Sequence, residues 1–139
     1  MYPHILLAAD GSENSVRAAK EAIKVAKCTA NSKVEVVLVT DFDKSKQDIL
    51  HAQSVESLML ERKRKISNVE QLLKDEQVNY KITFLKGSPG PEIVRYAKEQ
   101  KVDLVVVGSR GLNTLQEMVL GSVSHKVMKR VHCPALIVK

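Results

Sequence analysis

The sequence predicts a doubly wound α/β fold, Rossmann-like, in which a five-stranded parallel sheet is covered on its two faces by four helices. Two observations carry that expectation. Five short runs rich in apolar and β-branched residues alternate with segments whose apolar residues recur at three- and four-residue steps, with no internal repeat. The central runs, Val34 to Val39 and Asp103 to Val107, are nearly continuous in apolar residues, as strands covered on both faces are. A third observation says where a ligand belongs. Asp10 follows the first run, Val39-Thr40-Asp41 ends the second and Gly108 follows the fourth. In open α/β sheets ligands bind outside the carboxyl ends of the strands, where strand order reverses, and all three positions collect at that edge.

Ile5 to Ala9 reads as the first strand. Asp10-Gly11-Ser12 punctuates it and opens a helix with Val16, Ala19, Ile23 and Ala26 on one face and Lys20, Glu21, Lys24 and Lys27 off it. Ser12 and Ser15 are both candidate N-caps. Asn31-Ser32 ends this unit, and strand two, Val34 to Val39, is closed by Asp41-Phe42-Asp43. A polar connection, Lys44 to Gln47, leads to the longest helical stripe: Ile49, Ala52, Val55, Met59, Ile66, Val69 and Leu73, ending before Gln77. Tyr80 to Leu85 alternates polar and apolar residues and reads as an edge strand. In the turn that follows, Pro91 suits the first helical position and Glu92 the positive end of the helix dipole. Ile93 and Ala97 face inward on a short helix that stops near Gln100-Lys101. After strand four, a last helix carries the stripe Leu120, Val123, Val127 and Val131, with Lys129-Arg130 in its final turn. Cys133-Pro134 breaks it ahead of a fifth strand, Ala135 to Val138.

Between strand four and the last helix lie Gly108-Ser109-Arg110-Gly111 and, beyond nine intervening residues, Gly121-Ser122-Val123-Ser124. Glycine lacks a Cβ, so it takes up turn conformations and lets the backbone approach a ligand closely. Backbone N–H groups in such turns and in the first turn of the helix form an anion site before any side chain is counted. Ser122 and Ser124 add hydroxyl donors, and Arg110 either reaches a phosphate or stays solvated. The expectation is a triphosphate cradle; the plainer alternative is that the three glycines only serve tight turns. The segment is not a Walker P-loop, because no Gly-Lys-Ser/Thr follows a glycine run, and it is not the dinucleotide fingerprint, which belongs on the first strand.

Composition narrows the function classes. A chain of 139 residues with 44% apolar and 27% charged content suits a single soluble domain over residues 1–139. With no Trp and 4% aromatic residues, a stacking platform for single-stranded nucleic acid is not expected, and a flavin site is a weak reading. No membrane-length apolar run or signal peptide is evident, so a cytoplasmic protein without membrane contact is expected. Two cysteines, Cys28 and Cys133, make no disulfide framework or metal spacing. The net charge of +6 suits an anionic partner. The cluster Arg62 to Lys65 covers every side of a helix and so is expected to be a solvated face rather than a nucleic-acid stripe. Ser122 and His125 lack a third orienting group, and His4 and His132 lack spaced metal-binding partners. No catalytic residue stands out, and no lysine sits in the glycine segment, so no enzyme is expected, with slow ATP hydrolysis left open.

These residues also resemble a known family. Ile5 to Ser12, the strand end at Val36 to Asp43, Gly87-Ser88-Pro89, the Gly108 segment and Val131-His132-Cys133-Pro134-Ala135 together resemble the universal stress protein family. Within it, Gly108, Gly111, Gly121 and Ser122 meet the Gly-x2-Gly-x9-Gly-Ser spacing of the ATP-binding branch. Two departures are Ala8-Ala9, where some members carry a more polar or Pro-containing pair, and Leu38, where a His often stands. The resemblance implies an adenine nucleotide alpha hydrolase-like fold binding ATP, with Mg²⁺. It implies Ala8, Ala9 and Asp10 at the adenosine end, the Val39 backbone on the adenine edge, and Gly108 and Gly111, with Arg110 between them, along the ribose and α-phosphate. Gly121, Ser122, Val123 and Ser124 then hold the β- and γ-phosphates. It further implies a homodimer through the last strand, Ala135 to Val138, an apolar edge that would otherwise be exposed. The function implied is a nucleotide-dependent regulator or sensor in the stress response, read by an unidentified protein partner. The alternative is a nucleotide-free dimeric module that docks on partners.

Overall fold

The computed structural model of the chain describes residues 2–40, 55–109 and 121–139. Among the described residues there are five strands: β1 (His4–Ala8), β2 (Lys33–Thr40), β3 (Asn79–Lys86), β4 (Leu104–Gly108) and β5 (Ala135–Val138). They form one sheet in the order β3-β2-β1-β4-β5, every neighbouring pair parallel. Strand order therefore reverses between β1 and β4. The helices among the described residues are α1 (Glu13–Lys27), α2 (Val55–Lys65), α3 (Ser67–Asp75), α4 (Pro89–Glu99) and α5 (Ser122–Arg130).

The sheet separates two cores, because successive residues of each strand point to opposite faces. On one face Ile5, Leu7, Val34, Val36 and Val106 meet Ala18, Ala19, Ala22 and Ile23 of α1 and Val69 and Leu73 of α3. On the other, Leu6, Val37, Val105 and Val107 meet Ile93 and Ala97 of α4 and Val127 of α5. Ile5, Leu6 and Leu7 are wholly buried, so β1 is the centre of the molecule, and each of these side chains contributes about 1.5–3 kcal/mol by leaving water. β3 and β5 are the two edges, as the alternation in β3 anticipates.

Three expectations are corrected. The long helical stripe is two helices, broken at Ile66 (φ −108°, ψ 8°); its leading residues, Ile49 and Ala52, and the connection before them lie outside the described residues. Four basic residues occupy the last turn of α2, where the helix dipole favours them, and the Ser67 hydroxyl donates to the Arg64 carbonyl at 2.9 Å beyond the break. Ile66, at the break, and Val69 and Leu73 beyond it are all fully buried in the core on this face of the sheet. Second, Arg62 is 7% exposed and not part of a solvated face, whereas Lys63, Arg64 and Lys65 are exposed. Third, α4 begins at Pro89, capped by Ser88, so that Pro89 rather than Pro91 takes the first helical position. Either proline is tolerated there, since first-turn N–H groups have no partner within the helix.

Candidate functional site

β1 delivers Ala8 and Ala9, both buried, to the carboxyl edge of the sheet. The Ala9 N–H donates to the Val37 carbonyl at 3.0 Å, and the chain then leaves the sheet at Asp10. Asp10 Oδ1 accepts the Ser12 N–H at 2.9 Å, closing a turn in which Gly11 adopts φ +87°. A Cβ on Gly11 would lie 3.0 Å from the Lys65 carbonyl oxygen, so this glycine answers both to conformation and to the end of α2 packed over it. Of the two candidate N-caps, Ser12 caps α1, its side chain accepting the Ser15 N–H at 3.3 Å. Asp10 is thereby a turn residue as well as a charge at this edge.

β2 runs on to Thr40, past the end of β1, and beyond Val37 its register is with β3 alone. Alternate residues of a strand point their N–H and C=O to the same side. The Val37 carbonyl faces β1, so Val39 points both backbone groups to that side, beyond the last residue of β1. This is the donor–acceptor pair that the edge of a heterocycle requires.

Gly108 ends β4. A Cβ there would stand 2.9 Å from Asn14 Cβ and 3.1 Å from the Asn14 carbonyl carbon and oxygen. The glycine lets the first turn of α1 press directly on β4 at the reversal point, a packing role additional to the ligand approach read from the sequence. Ser109 then ties the next segment together. Its N–H donates to Val138 O at 2.7 Å, and its carbonyl accepts the Gly121 N–H at 2.7 Å and the Ser124 hydroxyl at 2.9 Å. Residues 109 and 121 are therefore in hydrogen-bond contact, and α5 starts at the end of β4. Arg110 and Gly111 lie outside the described residues.

Gly121 caps α5 in an extended conformation (φ −63°, ψ 159°) without a side-chain hydrogen bond. The N–H groups of Ser122, Val123 and Ser124 have no carbonyl partner inside the helix and carry the positive end of its dipole. Ser122 is exposed and Val123 half-buried. Ser124 is 1% exposed, and its hydroxyl also lies 2.9 Å from the Gly121 carbonyl, so what it offers a ligand is its backbone N–H. Ala8, Ala9, Asp10, Val39, Gly108, Gly121 and Ser122 to Ser124 thus come from three strand ends and one helix start at a single edge. Among the described residues no group of three or more His, Cys, Asp or Glu is placed to hold a metal.

The opposite end of the sheet holds a polar cluster that the sequence reading did not single out. Glu35, 1% exposed in the amino-terminal half of β2, accepts from His4 Nε2 at 2.8 Å, from Thr83 Oγ1 at 2.6 Å and from the Tyr96 hydroxyl. Burial on its own would raise its pKa; the hydrogen bonds from Thr83, Tyr96 and His4 outweigh burial and hold the carboxyl below its usual value. The same burial, with the Glu35 carboxylate, pushes the Tyr96 phenol up. The available signal was a carboxylate inside an apolar run, which a buried strand tolerates only with partners. His4 is one of them. The cysteines are both free, Cys28 exposed and Cys133 half-buried, with the Cys133 thiol pushed up by burial.

Comparison with known proteins follows the same lines. A family model described as the universal stress protein family matches residues 1–139. Universal stress protein MJ0531 of Methanocaldococcus jannaschii is 35% identical over 144 residues, covering 100% of this chain and 83% of its own. Among solved structures, the hypothetical protein MJ0577 superposes with a TM-score of 0.83 at 31% identity, over 100% of this chain and 96% of the other. A universal stress protein in complex with cAMP superposes with a TM-score of 0.75 at 25% identity, over 99% of this chain and 97% of the other.

Proposed function

The chain belongs to the universal stress protein family, and we propose that it binds ATP at the carboxyl edge of its sheet and acts as a nucleotide-dependent regulator in the stress response. The observation that carries this reading is the start of α5. Three N–H groups, from Ser122, Val123 and Ser124, open at the strand-order reversal, fixed there by the two hydrogen bonds to the Ser109 carbonyl. The Val39 backbone supplies the adenine edge, and the cAMP complex of a related protein supports an adenine ligand. Mg²⁺ would be held chiefly by phosphate oxygens and water, with the Asp10 carboxylate beside them at the end of β1. On this reading the nucleotide is a signal rather than a substrate for rapid turnover. The protein works in the cytoplasm as a homodimer joined through β5, and a protein partner reads its nucleotide state.

Gly121→Val tests the reading. Gly121 occupies a backbone conformation open to any residue, so valine adds bulk beside the phosphates without backbone strain. In titration calorimetry the native protein is expected to bind Mg-ATP in the micromolar range, and Gly121→Val to lose that binding with unchanged melting. Absence of heat with native protein at millimolar ATP would reject the reading in favour of a nucleotide-free docking module.

A further inference from the structure

α4 packs over β2 and β3, and α5 over β4 and β5, on the same face of the sheet. The seam between the two helices therefore runs above the β1–β4 boundary, where strand order reverses. Both helices begin at the carboxyl edge, and neither of their N-caps, Ser88 or Gly121, makes a side-chain capping bond, in contrast to Ser12 at α1. Lys126 crosses this seam. A Cβ on Gly90, in the first turn of α4, would lie 2.8 Å from Lys126 Cδ, 3.2 Å from its Cβ and 3.5 Å from its Cγ. Gly90 is a groove that seats the lysine stem.

Helical side chains slope toward the N-terminus of their own helix, so the stem carries its ammonium toward the first turn of α5. There it meets two helix ends that are already positive. Among the described residues no carboxylate pairs with Lys126; Glu92, the acid in the first turn of α4, is bonded to Arg95 at 2.6 Å. A cation laid between two positive helix ends is poorly placed on its own and well placed beside a bound polyanion. The basic end of α2, with Lys65 against Gly11, borders the same edge on the β1 side, and Lys126 brings a cation to it from the seam between α4 and α5.

We infer that Lys126 is the cation that meets the terminal phosphates of the nucleotide, and that it sets the preference for ATP over AMP and adenosine. The inference rests on the nucleotide reading above. The test is calorimetry of native protein and Lys126→Met, which keeps the apolar stem on Gly90, against Mg-ATP, AMP and adenosine. Gly90→Ala, which keeps the charge and displaces the stem, provides a second variant. Loss of a charge-assisted phosphate contact should weaken ATP about ten- to a hundredfold and leave adenosine within about twofold. Gly90→Ala should shift the same ligand in the same direction. ATP affinity in Lys126→Met within about twofold of native, or equal losses for ATP and adenosine, would overturn the assignment while leaving the nucleotide reading intact. Failure of native protein to bind ATP would overturn both.

Discussion

Replacing Gly108 by alanine separates two reasons for a glycine at the end of β4. The added Cβ would sit 2.9 Å from Asn14 Cβ and 3.1 Å from two backbone atoms of the same residue. None of these is the far end of a flexible side chain, so α1 or β4 must shift. Overpacking of this kind costs about 1–3 kcal/mol. Alanine recovers roughly 0.5–1 kcal/mol of that through its lower conformational entropy in the unfolded chain. At the middle of both ranges the net destabilisation is about 1.3 kcal/mol, which for a domain of this size lowers the melting temperature by roughly 3–6 °C. Thermal unfolding followed by circular dichroism, without nucleotide, reads the effect directly. A melting temperature within about one degree of native, with ATP binding lost, would show that the glycine serves the ligand alone and would refute the packing argument. Gly121→Val is expected to show the reverse pattern, with native melting and lost binding.

Three further predictions follow from other parts of the molecule. Glu35 titrates below its usual value when folded, so its contribution is complete above the unfolded carboxyl pKa and declines as pH falls below it; Glu35→Gln should flatten the acid limb of a melting-temperature profile between about pH 6 and pH 3. In β5, Pro134 O and Val138 O accept from Val105 N–H and Ser109 N–H, so the Ile137 N–H faces away from β4. Ile137→Pro should convert a dimer to monomer in light scattering while circular dichroism stays native, since proline is tolerated on an open strand edge. Purified protein should hydrolyse ATP more slowly than about 1 s⁻¹, the low end of ordinary enzyme turnover; faster release of phosphate would give the protein a catalytic role.

The strands were legible because a parallel sheet imposes long apolar runs on its centre. β5 falls on Ala135–Val138 as expected, and β1 and β4 are displaced by one residue. The break at Ile66 was hidden because Ile66, Val69 and Leu73 keep helical spacing whether the helix continues or restarts. The position of Arg62 was readable in hindsight. Met59, Arg62, Ile66, Val69 and Leu73 stand at alternating three- and four-residue steps, so the arginine occupies the apolar stripe, and its charge obscured that. The candidate site was recognisable from its glycines and from its place after three strands. What the glycines do individually was not, because the partner of Gly108 is Asn14 and the neighbour of Gly90 is Lys126, contacts between residues far apart in the chain.

The two ends of the sheet handle charge in opposite ways, and this bears on function more than either end alone. At the amino end a buried carboxylate receives its three donors from β1, β3 and α4, so its needs are met from within the fold. At the carboxyl end two helix starts lack side-chain caps and a lysine stem is led between them. The first arrangement holds a negative charge that the protein itself neutralises; the second gathers positive potential that an external anion would neutralise. α4 belongs to both, contributing Tyr96 to the amino end and Gly90 to the carboxyl end. Conditions should therefore act separately on the two ends. Added salt screens the carboxyl end and, if ATP binds there as proposed, should lower its affinity with little effect on melting, because the Glu35 cluster is buried. Acid should lower melting through Glu35. A salt series that lowered melting and affinity in proportion would mean that the two ends are not independent, and would count against assigning the anion site to the carboxyl edge.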